Sequence, residues 1–271
     1  MMRRELLVSA VALACAAPVM ADKYSVEVNA GYGTGEIDLD AFDVDLTVWN
    51  LGGSYYVWGA DDSKGPLAEA AFLDRSTTVF ANYTNTEFEA FGNDFDIDSY
   101  NVGGLLIDKE SGWFGGIAYT KDDSDGDDGD TWELTGGKYL AQYTTLSATY
   151  TSSEVGSDDT DDFNVDVKHV AQLAGASALA ITGGIGYSDS DVVDDTTTVG
   201  VGVTYYLDSR IGFGAGTSLA SSDDSDVVSF ELHGSWFPVS NIGLYASYAI
   251  SEDDDNDVDT DLFLLQGVVR F

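Results

Sequence analysis

The stretch TTTVGVGVTYYLDSRIGFGAGTSL, residues 196–219, decides how this chain reads. Val199, Val201, Val203, Tyr205 and Leu207 alternate with Thr198, Gly200, Gly202, Thr204 and Tyr206. After Asp208, Ser209 and Arg210 the period resumes, with Ile211, Phe213, Ala215 and Leu219 set against Gly212, Gly214, Gly216 and Ser218. Successive side chains of a strand point to opposite faces, so a period of two gives each segment one apolar face. Two such segments joined by a short polar turn predict an antiparallel hairpin.

The second face says what kind of hairpin this is. A half-wet soluble sheet puts plainly polar residues on its outer face. Here that face is Gly, Thr, Ser and Tyr, and the charges gather in the connections. An apolar outer band around an interior of small polar residues is the pattern of a transmembrane β-barrel.

The N-terminus fits export. Arg3 and Arg4, an apolar run over Leu6–Ala14, and Val19-Met20-Ala21 form a secretory signal that predicts cleavage after residue 21. The run falls short of the ~20 residues of a spanning helix. Cys15 lies inside the signal segment with Ala12 three residues earlier, where lipoprotein signals favour Leu, so the expected mature chain, residues 22–271, carries no thiol. With no later helical span, a membrane form must be a closed barrel, which alone among sheets pairs every backbone group in lipid.

Charge narrows the partners. The chain has 11 basic and 48 acidic residues, net −37; without Arg3, Arg4 and Glu5 the balance is 9 − 47 = −38. Phosphate backbones would be repelled, so nucleic acid is excluded as a partner.

The alternation predicts fourteen strands, at 23–33, 43–57, 75–87, 98–108, 112–121, 131–139, 141–151, 162–172, 177–187, 195–207, 209–220, 226–237, 241–250 and 261–271. Near Gly52-Gly53 the period slips. Acidic connections (34–42, 88–97, 122–130, 152–161, 188–194, 221–225 and 251–260) alternate with short ones, which hold both mature prolines, Pro66 and Pro238. The exception is 58–74, a long connection on the short-turn side that predicts a helical turn or plug-like flap. Eight of nine mature bases (all but Lys121) fall at that end. Tyr24, Tyr32, Trp113, Tyr119, Trp132, Tyr150, Tyr187, Tyr205, Trp236 and Tyr248 sit near strand ends, where interfacial rings belong.

The last strand alternates Phe263, Leu265, Gly267 and Val269 up to a terminal Phe271. This resembles the C-terminal signature of Gram-negative outer-membrane β-barrel proteins, with Gly267 departing from an apolar position. The resemblance to small bacterial porins covers essentially the whole mature chain. It implies assembly by the barrel-assembly machinery with Phe271 as its signal, contact with outer-membrane lipid and lipopolysaccharide, and porin-type function.

Enzyme chemistry finds little support. Glu231, His233 and Ser235 share one strand face, but rise alone separates residues two apart by roughly 6–7 Å, beyond hydrogen-bond reach. The pairs Gly200/Gly202 and Gly212/Gly214 lie within strands, which removes a nucleotide-loop reading. No acidic loop has calcium-loop spacing: five residues before Gly126 stands Lys121, and before Gly129 Ser124. No specific metal site or cofactor is expected, only loosely held divalent cations.

The ionisable residues assigned to the inner face are Glu27, Asp45, Glu133, Asp166, Lys168, Glu231 and Arg270. Charge is tolerated across a membrane span only towards the lumen, and acidic rings favour cations. The expected molecule is therefore an all-β, antiparallel up-and-down barrel of about 14 strands, 12 and 16 being the neighbouring even counts. It is expected to be a passive channel for small hydrophilic solutes and ions with cation preference. The rivals are a non-conducting structural or surface-interaction barrel with acidic external loops and a soluble secreted barrel.

Overall fold

The structure, a computed structural model, describes residues 23–39, 42–124, 128–253 and 255–271. The expected export segment 1–21 lies outside the described residues. The strands are β1 (Lys23–Leu39), β2 (Phe42–Asp61), β3 (Thr78–Ala90), β4 (Asn93–Ile107), β5 (Trp113–Ser124), β6 (Gly129–Ala141), β7 (Thr144–Val155), β8 (Asp158–Gln172), β9 (Ala178–Ser190), β10 (Thr196–Tyr206), β11 (Ile211–Ser221), β12 (Asp226–Val239), β13 (Ile242–Asp253) and β14 (Val258–Arg270). Each pairs antiparallel with its sequence neighbours, and β1 pairs with β14 to close a fourteen-strand barrel.

At the seam the Phe271 carbonyl accepts from the Ser25 and Val26 amides at 2.7 and 3.1 Å, while the Phe271 amide donates to Val26 O at 2.8 Å. The last residue thus finishes the ladder that joins the two ends of the chain.

The fourteen predicted strands are all present, but several run further than expected. Segments 34–42, 88–97, 122–130, 152–161 and 251–260, expected as acidic connections, are largely strand among the described residues. Pairing continues because acids still alternate with apolar residues there, as in Glu36, Ile37, Asp38 and Leu39. About 9–11 tilted residues cross a bilayer, so the 20-residue β2 must project beyond it.

Facing follows the pleat. Val199, Val201, Phe213, Phe230 and Leu265 are exposed on the outer wall, while Gly200, Gly202, Gly216 and Ser218 line an internal pocket. No register shift occurs at Gly52-Gly53 on either side of β2. Continuous pairing therefore keeps Asp45 on the face of Trp49 and Tyr55, the outer one, and corrects its assignment to the lumen; a one-residue slip would have reversed it. Tyr24 also departs from expectation. It is buried inside, edge-on to Tyr56 at 5.1 Å, rather than in the outer girdle.

At the acidic end that girdle is built from repeated Tyr–Asp hydrogen bonds between neighbouring strands: Tyr83 to Asp98 at 2.6 Å, Tyr150 to Asp161 at 2.8 Å and, in the β5–β6 hairpin, Tyr119 to Asp130. Tyr187 likewise donates to Asp195, just before β10, at 2.6 Å.

Between β2 and β3 the chain makes short helical turns at Asp62–Lys64 and Leu67–Glu69, then the helix α1 (Ala70–Asp74). This segment folds into the barrel. Leu67 packs in one cluster with Phe237 and Val268, Leu73 with Val170, Ala178, Ala180 and Tyr206, and Ala70 with Tyr24, Tyr56 and Ala60. The buried core is thus gathered around it at the short-turn end. Arg75 ends α1 in the left-handed region (φ 55°), where Gly is usual, and its amide closes onto the carbonyls of Ala71 and Phe72.

The assigned faces make a direct prediction. Val201→Arg and Phe213→Arg should each lower barrel stability by about 2–4 kcal/mol, the cost of Arg near the bilayer midplane, and Gly200→Ser by far less. Urea unfolding in lipid vesicles measures this, and equal effects on both faces would reject the assignment.

Candidate functional site

The candidate site is the lumen and the segment folded across one end of it. Residues 62–77 are held from all around the wall. Glu69, 7% exposed, accepts from Lys168 of β8 at 2.7 Å and from the Tyr206 hydroxyl of β10 at 2.9 Å. Arg270 of β14 donates through Nε to Glu27 of β1 at 2.7 Å and through Nη1 to Leu67 O at 3.0 Å. Its guanidinium lies over the rings of Tyr24 and Phe237, 4.6 and 4.7 Å from their centroids. The Leu67 amide donates to Ser209 O at 2.7 Å, and the Tyr139 hydroxyl to Phe72 O at 2.9 Å. Arg75 reaches the carbonyls of Lys109, Ala141 and Gln142 in two wall turns.

Asp74 is the ionic centre of the segment. Its carboxylate accepts from Lys64, from Lys109 at 2.9 Å and from the Ser76 hydroxyl at 3.1 Å. Burial pushes the Asp74 carboxyl up, but hydrogen bonds and charge from Lys64 and Lys109 outweigh this and hold it below the usual carboxylate value. One buried carboxylate shared by two cations fixes both the segment's own first turn and the β4–β5 turn that carries Lys109.

The residues singled out in the sequence divide into three groups. Glu27 with Arg270, and Lys168 with Glu69, form ion pairs at the base. Asp166 and Glu231 line a polar pocket of about 390 Å³ with Asn164, Thr182, Thr198 and Ser218, and Glu133 shares their inner face while accepting from Thr135 at 3.3 Å. Asp45 stands on the outer wall. His169 also stands on the outer wall and bonds Thr144 at 2.8 Å.

Glu231 and His233 do meet, contrary to the estimate from strand rise. The side chains lean together, Oε1 to Nδ1 2.8 Å, and His233 Nε2 lies 2.8 Å from Thr204 Oγ1 of β10. The third partner is Thr204, not Ser235. The reach across β11 exists because Gly214 lies between: a Cβ there would collide with the imidazole and the hydroxyl. The backbone around all three is engaged in strand ladders, so no free amide pair stands by to hold an oxyanion. The arrangement is a hydrogen-bonded polar patch on the lumen wall.

Sequence reasoning gave no role to Glu69, Asp74, Lys64 or Lys109. The available signal was their place: two acids in a helical turn at the one end of the barrel where the bases collect.

A closed antiparallel barrel with an apolar outer band, an aromatic girdle and a small-residue polar lumen is the architecture of an outer-membrane porin-like channel. The chain belongs to the family described as "Putative general bacterial porin", whose model matches residues 2–160, more than half of its length. In fold it is similar to the outer membrane protein Omp33 of Acinetobacter baumannii (TM-score 0.66, 20% identity, 93% of this chain and 100% of that one). It is also similar to a bacterial polysaccharide outer membrane secretin (TM-score 0.59, 10% identity, 92% and 99% covered). No curated protein sequence matches the chain.

The ion pairs of the folded-in segment predict an acid response. A depressed carboxyl value means that the stabilisation is present above the unfolded value of about 3.9 and is lost as pH falls through the lower, folded one. Amide protection across 62–77, taken against the intrinsic exchange rate at each pH, should therefore fall in acid below about pH 4. Asp74→Asn should loosen the segment already at neutral pH, by about 1–3 kcal/mol, and flatten the acid response. Unchanged protection in the variant would assign the anchoring elsewhere.

Proposed function

We propose that this porin-like protein is a passive diffusion channel for small hydrophilic solutes with a preference for cations. The observation that carries the reading is how the inner-wall charges are matched. The bases Lys168 and Arg270 are engaged by Glu69 and Glu27, whereas Asp166 and Glu133 have no basic partner among the described residues. The charge left to act on a passing ion is carboxylate, in a low-dielectric wall that focuses it.

Export through cleavage of residues 1–21 and insertion by the barrel-assembly machinery complete the reading, with residues 58–74 at the periplasmic end. Phe271 serves as the assembly signal. Its ladder bonds across the seam support this, and deleting it should reduce the yield of heat-modifiable barrel in the membrane fraction; full assembly of the deletion would remove the role. The outer wall above the girdle faces lipopolysaccharide. There Asp261, Glu36, Asp45, Glu89 and Asp94 stand in one row across five strands. Like charges directly opposite repel, so this surface gathers loosely held divalent counter-ions.

A second reading, a non-conducting surface-interaction barrel, is favoured by the folded-in segment, which spans the short-turn mouth. Reversal potentials in a KCl gradient separate the two. Refolded protein should prefer K⁺, most strongly at low salt, and Glu133→Gln with Glu231→Gln should weaken the preference more than neutralising acids in 251–260, which salt screens over about 8–10 Å. Preference for Cl⁻ would reject the charge argument, and absence of current would favour the second reading.

A further inference from the structure

Beyond the girdle, the inner faces of the two sides of the barrel differ in chemistry. On β14 and β1–β4 they are apolar. Leu262, Gly35, Leu46, Phe88 and Phe95 form one in-register row across five adjacent strands. Leu264, Gly33, Val48, Thr86 and Ile97 form the next. A side chain on Gly33 would meet the δ-carbons of Leu264 and Leu262 at 3.3 and 3.6 Å, so both leucines lie on the lumen side with it. The Phe88 and Phe95 rings are 6.1 Å apart, and Leu46 beneath them is 9% exposed. At this level the acids of the same strands, Glu36, Asp45, Glu89, Asp94 and Asp261 among them, point the other way, towards the medium.

The wall that faces this surface is polar and acidic. In a ring of fourteen strands β8 stands seven places from β1, on the opposite side. Its inner face carries Asp162 and, two inward positions deeper, Asp166, with Asn164 between them and the hydroxyl pair Thr160–Ser190 at 2.9 Å above. Asp122 of β5 adds a further inward carboxylate. Lys121, the one base at this end among the described residues, belongs to the outer face with Asp123 and Asp128.

We propose that this vestibule is a binding station for small organic cations with an apolar body, of the alkylammonium or arylammonium class. The inference rests on the channel reading and names the solute class within it. The apolar rows remove the hydrocarbon part from water, and the Phe88 and Phe95 rings favour a cationic neighbour. Asp122 borders the rows where it pairs with Ser99, two residues from Ile97, and the field of Asp162 and Asp166 across the lumen draws cations rather than anions into the vestibule. A neutral apolar molecule gains nothing from Asp162 and Asp166, and an anion is repelled by them. Charge complementarity therefore selects the cation among apolar occupants. A bare metal ion gains nothing from the leucine and phenylalanine rows, so it passes without being retained.

The test uses the full barrel in planar bilayers. Tetramethylammonium, tetraethylammonium and tetrabutylammonium are added to either side while the K⁺ current is read. The half-blocking concentration should fall at least about tenfold from the methyl to the butyl compound, since each buried methylene contributes favourably. Leu46→Ser with Phe88→Ser should abolish that gain. Asp162→Asn should weaken block by all three. Block independent of chain length, or equal block by an alkylsulfonate of the same length, overturns the proposal while K⁺ conduction leaves the channel reading intact. If no current is seen, the channel reading fails. Calorimetric titration of the lipid-nanodisc barrel with tetrabutylammonium then decides the vestibule alone: binding lost in the double variant upholds the station, and no binding refutes it.

Discussion

Everything in this molecule depends on pairing the backbone of a sheet that has lipid on one side. An unpaired amide or carbonyl in hydrocarbon costs several kcal/mol, so the sheet has to close, and closure puts the two chain ends side by side. That is why the β1–β14 ladder, extended to Phe271, matters as much as any hairpin. Once closed, the barrel has inverted the usual arrangement of a protein. Across the bilayer span most of its large apolar side chains face out, and β8–β12 line the lumen there largely with Gly, Ser, Thr and Asn, too small to fill fourteen strands' worth of space.

The buried core therefore comes from elsewhere. Residues 62–77 bring Leu67, Ala70 and Leu73 into the base of the barrel, where Phe237, Val268, Val170 and Tyr206 would otherwise line water. Apolar contact alone would leave the segment free to slide, because such contacts have little direction. Glu69, Asp74 and Arg75 supply the direction, each tied to a different part of the wall. Wall residues and segment residues are thus parts of one unit, although the sequence separates Glu69 from Tyr206 by 137 positions.

Much of this was legible in the chain. A period of two is a local signal, and it identified every strand and most facings, including those of Val201, Phe213 and Glu231. What failed was whatever depended on pairing over distance. Asp45 was misassigned because an apparent slip at Gly52-Gly53 is cancelled by continuous pairing with β1 and β3. The acidic segments looked like loops because charge density hid the alternation of Glu36 with Ile37 and Asp38 with Leu39. The Glu231–His233–Thr204 contact was invisible for a different reason. Rise along a strand measures Cα spacing, while the contact is made by side chains bending over Gly214, the β11 residue that pairs with both Thr204 and His233.

The same pairing that anchors the segment sets the charge of the channel. Lys168 is neutralised by Glu69, which belongs to the segment, whereas Arg270 is neutralised by Glu27, which belongs to the wall. Any excursion of residues 62–77 out of the lumen would carry Glu69 with it and release Lys168 beside Asp166, while Arg270 would keep its partner. The docked and displaced arrangements therefore differ by one uncovered positive charge at the narrow end. On the channel reading, selectivity for cations is a property of the docked arrangement, and a wider opening comes with weaker discrimination.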